Sequence, residues 1–556
     1  MRGVEAIPVH VEVSVGAGLP GIAIVGLPDS TVQESRLRVK SAIRAVGFDV
    51  PAANIVVNLA PSSLKKIGSG FDLPIALGIL ASTGQIEAKV IAGKTFVGEL
   101  SLGGQVRGVH GLLAFALMVR NNGGSLVTGQ TGDDLSTVLP GRHVVVDDLA
   151  TLLSNPATAL GCEAGDARAA EADSRVGDAR TWVSVCEQPE GREGEGDTVL
   201  GGISDGSAEQ LDYADIAGQD FAKRAMQIAA AGNHSVLMIG PPGSGKTMLA
   251  RRLPTIMPPL DESQRLETAM IHSVSGLPFQ SILNGQRPFR SPHHSATPAG
   301  IMGGGMPLTP GEVSLSHNGV LFLDEMPEFS SRVLQMLRQP IEEGIVALAR
   351  ADGTYRFPAE FLLLGAANPC PCGYLGDPEK ACSCSPGVVT QYQAKIGGPL
   401  IDRFDMMVNV SRSDPKSVMQ TGTGTSSEEL YRGVIAGREF AEARRAEQEE
   451  GESDDAAACD AELQLHAAAI GHEPEGCSHA GRIACIGKDR LLIAQCKMDD
   501  EVVSYMEEIA RAHTMSGRGI MKVLKVARTI ADMEQSEIVT AEHVTEAAMF
   551  RMQDRG

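Results

Sequence analysis

Nothing in the chain reads as a membrane span or a secretory leader. Apolar runs stay short of the ~18 residues a span needs, and the first residues lack a charged-then-apolar start. Ten cysteines in 556 residues, without dense spacing, exclude a secreted disulfide scaffold and point to a reducing cytoplasm. Aromatic residues are only 4%, with Trp182 the single tryptophan, so the cores must be mainly aliphatic, for which 43% apolar content is ample. Basic charge is also short. A net charge of −21 excludes wholesale coating of nucleic acid but leaves room for a local basic channel, because the acid is concentrated in a few segments. Between Glu267 and Glu312 acid is missing altogether.

What is present begins with Gly240-Pro241-Pro242-Gly243-Ser244-Gly245-Lys246-Thr247, directly after the apolar run Ser235–Ile239. A buried parallel strand feeding a glycine-rich turn and then a helix is the setting of a Walker A loop, whose backbone N–H groups wrap nucleotide phosphates. Lys246 is placed to reach the β- and γ-phosphates, Thr247 to ligate Mg²⁺, and Met248 continues the helix start. ATP and Mg²⁺ are the expected ligands. A second apolar strand, Gly319–Leu323, ends in Asp324 and Glu325, at the carboxyl end where open α/β sheets place their ligands. Asp324 is expected on or behind Mg²⁺, and Glu325 as the base that orients the attacking water. A third strand, Phe361–Ala367, ends in Asn368, a polar group for the γ-phosphate or the water. Arg403, in Gly398–Phe404, has no phosphate to meet in a monomer; in a ring it can enter the neighbour's site as an arginine finger, or else it makes a plain surface ion pair.

At this length several domains are expected. Residues 1–155 are rich in Val/Ile strands (Val9–Val15, Ile55–Leu59) and include a helix, Ser30–Val46, with Arg36, Lys40 and Arg44 in one stripe. Residues 156–212 read as an acidic flexible linker, 213–412 as the nucleotide-binding core, and 413–556 as helical, with a polar insertion at about 446–489.

The acid-free window holds Arg287–His294 and Gly303–Gly305, a pattern that suits contact with phosphate backbones, or else a loop packing on its own ring. Ile345–Phe357 reads as a β-hairpin turning at Asp352-Gly353, lining a pore or bracing the sheet. Arg287, Arg290, Arg350 and Arg356 are the expected DNA contacts, with the Arg36/Lys40/Arg44 stripe in reserve. Cys370, Cys372, Cys382 and Cys384 form C-x-C-x₉-C-x-C, which can close a tetrahedral structural Zn²⁺ site or stay as reduced thiols. Cys459, Cys477, Cys485 and Cys496, with His472 and His479, are too irregular to read as a site.

Together with Met515–Arg518, these motifs resemble an AAA+ ATPase of the magnesium-chelatase branch. Gly26–Asp29, Val57–Pro61, Phe71–Ala76, Arg290–His294, Asn368–Gly373 and Val526–Asp532 make the chain more closely similar to the ComM/YifB family. The resemblance covers nearly everything but the linker and the 446–489 insertion. It implies an α/β fold: an AAA+ P-loop NTPase core with a helical lid, preceded by a Lon-protease-like α+β domain. It also implies that Arg518 is a sensor-2 arginine gripping the γ-phosphate from the lid. The family forms homo-hexameric rings on single-stranded or branched DNA and drives branch migration in recombination during natural transformation. The chain starts at Met1-Arg2-Gly3-Val4 without the short strand that precedes this point in the family, so a shortened or misassigned start is expected.

The leading expectation is therefore an ATP-driven DNA motor. A peptidase is the rival that the Lon-like domain raises, but that resemblance puts Asp72 where the serine belongs and Phe115 where the lysine belongs. Neither can do that chemistry. A chelatase subunit is disfavoured because chelatase motors lack this N-terminal domain, and a chaperone-like remodeller of protein complexes stays open.

Overall fold

The computed structural model describes residues 6–154 except 65 and 67, 181–185, 211–412 except 306–307, 351–352, 378 and 397–399, then 424–446 and 488–551. The 446–489 insertion thus falls almost wholly outside the described residues, as do Cys459, Cys477, Cys485, His472 and His479.

The N-terminal domain is a mixed sheet backed by helices. Its strands are β1 (Ile7–Gly16), β2 (Gly21–Val25), β3 (Asn54–Ala60), β4 (Lys94–Val97), β5 (Ser125–Thr128), β6 (His143–Val145) and β7 (Thr181–Val185), in the order β2-β3-β1-β7-β4-β5-β6. Alternation in β1 and β3 buries Val9, Val11, Ile55, Val57 and Leu59 on one face. Helix α1 (Ser30–Ala45) starts where Asp29 accepts the Val32 N–H at 2.8 Å, and it buries Val32, Val39, Ala42 and Ile43. Arg36, Lys40 and Arg44 fall on its exposed side. α2 (Asp72–Ser82) and α3 (Leu112–Asn122) complete the packing; Asp72 and Phe115 are both buried, and Asp72 is held by Arg38 at 2.6 Å. β7 lies within the stretch expected as linker, and it pairs antiparallel with β1 (Ile7 opposite Val185).

The second unit is a five-stranded parallel sheet of β8 (Val236–Ile239), β9 (Phe289–Arg290), β10 (Val320–Leu323), β11 (Leu362–Ala367) and β12 (Met406–Asn409), ordered β9-β10-β11-β8-β12. Their near-continuous apolar runs follow from burial on both faces, and this is an α/β P-loop arrangement. Helices α4 (Asp220–Gly232), α5 (Lys246–Ile256) and α6 (Glu262–Val274) cover it.

Helix α7 (427–446) leads into α8 (Lys488–Cys496), α9 (Asp500–Ala512), α10 (Gly517–Met533) and α11 (Ala541–Met549). α10 is strongly amphipathic. Val523, Val526, Ala527, Ile530 and Ala531 are buried in one core with Ala225, Met226 and Ala229 of α4 and Val236 and Met238 of β8. Each such large side chain stabilises by about 1.5–3 kcal/mol, so an Ile530→Asp change would separate lid from sheet.

Candidate active site

The Walker loop leaves the carboxyl end of β8. Gly243 and Gly245 sit at φ +79° and +91° with no atom within 4 Å of where a Cβ would stand, so the loop needs glycine and leaves an open cradle. Ser244 Oγ is buried inside it without a hydrogen-bond partner. Lys246 is buried and folds over the loop, donating to the Gly240 and Pro241 carbonyls at 2.7 and 2.9 Å and to Asn368 Oδ1 at 3.3 Å. Burial pushes its ammonium pKa down, against the Asp324 and Glu325 charges. The three-strand convergence expected of Lys246, Asp324 and Asn368 is therefore present.

Thr247 Oγ1 donates to Asp324 Oδ2 at 2.9 Å, and Asp324 Oδ1 accepts the Glu325 N–H at 2.9 Å. A hydroxyl and a carboxylate oxygen at this spacing, on the phosphate side of the loop, are the donor set Mg²⁺ prefers. Mg²⁺ held there would neutralise phosphate charge. Thr247 and Asp324 would hold it, the N–H groups of 243–247 would bind the phosphates, and Met248, 44% exposed, borders the cradle from the helix start.

Glu325 lies just past the strand in the left-handed region (φ 49°, ψ 45°), costly for a non-glycine and a frequent mark of a functional turn. Its carboxylate is exposed, and His294 Nδ1 stands 3.6 Å away, its ring tilted against that of His293 at 4.0 Å. The sequence reading placed His294 only in a phosphate-binding loop. The signal that finds its partner is register: β9 pairs Arg290 with Leu321, and the two chains leave these parallel strands side by side, 294 and 325 each four residues on.

Arg403 lies elsewhere. Residues 401–403 form a short turn before the amino end of β12, whereas the Walker loop follows the carboxyl end of β8, the parallel neighbour (Val236 opposite Met406). The sheet, about 13 Å deep at four residues per strand, separates Arg403 from its own nucleotide loop. The guanidinium is paired with Glu342. Directly after it, Asp405 receives Lys522 at 3.2 Å and Lys525 at 3.7 Å, both from α10, and lies 3.6 Å from buried His234. Lys522 also donates to the Phe404 carbonyl at 3.0 Å. Burial alone would push the Asp405 carboxyl up, but the His234 contact and the two lysines outweigh it and hold it well below the usual carboxylate range. Arg518 is exposed on α10, one turn before Lys522.

Two expected DNA contacts are committed inside the fold. Arg287 donates to the Pro258 and Asn318 carbonyls at 2.6 Å each, and burial lowers its pKa to about 10. Arg290 pairs with Glu312 at 2.6 Å. The hairpin stands as Ile345–Arg350 against Gly353–Pro358, with Arg350 opposite Gly353, so Gly353 belongs to the strand rather than the turn. Arg350 donates to the Gly305 carbonyl, and Arg356 is exposed. The four cysteines 370, 372, 382 and 384 gather with all sulfurs within 4.8 Å of one another.

Comparison with known proteins agrees with this geometry. The family described as magnesium chelatase, subunit ChlI, matches residues 212–418, and its C-terminal family matches 485–551. A family described as subunit ChlI of Mg-chelatase matches 11–130. The chain is 36% identical over 557 residues to the uncharacterized protein YifB of Escherichia coli, covering 100% of this chain and 96% of the relative. It is 35% identical over 560 residues to competence protein ComM of Haemophilus influenzae, covering 99% and 95%. The chain belongs to the ComM/YifB family. A magnesium-chelatase 67 kDa subunit of Heliobacterium mobile is 27% identical, covering only 34% of this chain and 32% of the relative. Since a ChlI family also matches the N-terminal domain, the presence of that domain does not itself argue against a chelatase subunit; the difference in coverage does. The ComM/YifB chain is thus a magnesium-chelatase-like AAA+ protein, a family that implies ATP and Mg²⁺. Among the described residues no helix is long and apolar enough to cross a membrane.

Proposed function

We propose that this protein is an ATP-hydrolysing DNA motor that works as a homo-hexameric ring, in the cytoplasm, on single-stranded or branched DNA. The relationship to competence protein ComM supports a role in recombination of incoming DNA. The observation that carries DNA contact is the meeting of two ribbons. Arg350 of the hairpin donates to the carbonyl of Gly305, beside the short ribbon in which Gly303–Gly304 pairs with Thr309–Pro310. The acid-free window and the hairpin therefore adjoin, Arg356 stands exposed on the hairpin's other face, opposite Ala347, and a polyanion meets little repulsion along the window. Ring assembly is supported by Arg403, which sits at the sheet edge away from its own Walker loop, while Arg518 lies exposed on α10, the helix whose Lys522 meets that edge. Both serve a neighbouring protomer's nucleotide in this reading, Arg403 as the finger and Arg518 as the lid sensor. The N-terminal domain, with Asp72 and Phe115 locked in its core, acts without peptidase chemistry and keeps its Lon-like fold only as a scaffold.

The deciding experiment is the ATPase rate of full-length protein and Lys246→Ala with no DNA, single-stranded DNA and forked DNA. Strong stimulation by DNA in the wild type alone is expected. No response to any DNA, with activation only by a protein partner, would replace the motor by a remodeller of protein complexes.

A further inference from the structure

We infer that Cys370, Cys372, Cys382 and Cys384 bind one Zn²⁺ as a closed tetrathiolate site, and that this metal braces Asn368 and the Walker loop. Three of the six sulfur pairs stand at 3.3, 3.6 and 3.5 Å (370–372, 370–382, 372–382). A tetrahedron with Zn–S bonds of 2.3 Å has sulfur–sulfur edges of about 3.8 Å, so a few tenths of an ångström of expansion admits the ion. A disulfide, at about 2.05 Å, is a different geometry. The Cys384 N–H points at Cys382 Sγ (3.4 Å), a backbone donor that stabilises a thiolate ligand.

A second observation is how little apolar packing holds the loop, whose other ties are polar: Arg412 meets Asp377 at 3.3 Å and Glu379 at 3.4 Å. Along 370–384, Cys370 and Gly373 are the buried residues among those described, and Leu375 is 38% exposed. Tyr374 is not in a core; it is covered by Lys380 at 4.0 Å and Arg412 at 5.6 Å. A segment with no hydrophobic core that nonetheless brings four sulfurs together is the kind that a metal orders.

The loop is also wedged on the nucleotide site. Gly373, at φ +82°, lies so close to Pro242 of the Walker loop that a Cβ would come within 2.6 Å of its Cδ. Asn368, two residues before the first cysteine, touches Lys246. The adjoining helix, Pro386–Ile396, returns a hydrogen bond from Gln393 to the Pro369 carbonyl at 3.3 Å. Zinc would thus close a clamp from Asn368 through Gly373 onto Pro242. It would take no part in the phosphate chemistry, since four thiolates leave no open position for water.

The test is metal analysis of full-length protein purified from zinc-supplemented cells, with release by a mercurial thiol reagent. One zinc per chain, freed together with the four thiols, is expected. Cys382→Ser/Cys384→Ser should lose the zinc, whereas Cys496→Ser, which alters a buried cysteine of the lid, should keep it. Basal ATPase without DNA should fall at least tenfold in the double variant, and fluorescent-nucleotide affinity by less than about threefold. Because unfolding could mimic that loss, wild-type protein stripped with a chelator must lose rate and recover it when zinc alone is returned. Less than a tenth of an equivalent of zinc, iron in its place, or zinc retained by the double variant would overturn the assignment. Full zinc loss with an unchanged basal rate would overturn the brace. Neither readout involves DNA, so the outcome is independent of the motor proposal.

Discussion

Asp405→Asn is the substitution that most sharply tests how the Arg403 turn is held. The carboxylate is 12% exposed and meets Lys522 at 3.2 Å, Lys525 at 3.7 Å and the Ser235 N–H at 3.2 Å. At an effective dielectric near 20, the Lys522 pair alone has a gross attraction of about 5 kcal/mol, most of which offsets the desolvation of both ions. Lys525 is 47% exposed, and its screened pairing adds little. Removing one partner of a buried pair typically costs 3–5 kcal/mol. Asparagine can keep the Ser235 contact, and Lys522 keeps the Phe404 carbonyl, so a loss of about 3 kcal/mol is expected, at the low end of that range. For a cooperative unit of roughly 200 residues this is a fall of about 6–12 °C in melting temperature. The sign of the pH dependence follows from the depressed carboxyl pKa. The stabilisation is fully present above the unfolded carboxylate pKa near 4 and fades as pH drops below it. The deficit of the variant should therefore be constant from pH 6 to 8 and shrink below about pH 4. Differential scanning fluorimetry across pH, with Asp405→Ala alongside, reads both. A melting shift under about 2 °C at pH 7, or a deficit that grows on acidification, would refute the charge-clamp account.

Other substitutions address the chemistry itself. Glu325→Gln should bind ATP normally and turn over at least ~10²-fold more slowly, as expected for a lost water-positioning base; an unchanged kcat would take Glu325 out of the mechanism. His294→Ala should slow hydrolysis about tenfold by freeing that carboxylate, with His294→Asn recovering part of the rate, and single-turnover assays would expose the opposite result. Arg403→Ala should bind ATP yet hydrolyse slowly, and mixing it with Lys246→Ala should restore some activity in shared rings; no recovery at any ratio argues against a composite site. Arg350→Gln with Arg356→Gln should weaken DNA binding and lower the slope of log affinity against log salt by about two.

The sequence was legible wherever function is written in consecutive residues. The Walker loop, the apolar strand before Asp324 and Glu325, and the strand before Asn368 are each one local pattern, and the sheet gathers their ends without further information. What needed coordinates was relational. That His294 faces Glu325 depends on parallel register between strands some thirty residues apart. That Arg287 and Arg290 are turned inward depends on carbonyls and a carboxylate brought in by other elements, so absence of acid within the window did not mean freedom from partners. Asp405 carries no mark of its role in the sequence, because its lysines arrive from a helix more than a hundred residues later. The strand Thr181–Val185 shows the limit of composition: five residues of β character inside an acidic, glycine-rich stretch are outvoted in any window average, yet they pair with β1.

The joint between the two folded units has a consequence for what the intervening chain must do. Ser273, near the end of α6, accepts the Gly111 N–H on its carbonyl at 3.0 Å and the Leu113 N–H on its hydroxyl at 3.3 Å. Around it Val109, Leu112, Leu113 and Phe115 share a core with Ala269, Phe279 and Ile282. The covalent connection is therefore not what carries force between the domains. A tether chiefly raises the local concentration of two partners that already fit, and here the fit is a continuous apolar seam anchored on the helix that precedes the acid-free window. Cutting the backbone between residues 186 and 210 should leave two fragments that co-elute and still hydrolyse ATP, while Leu112→Asp in the uncut chain should uncouple them. Mechanically, the N-terminal domain rides on α6.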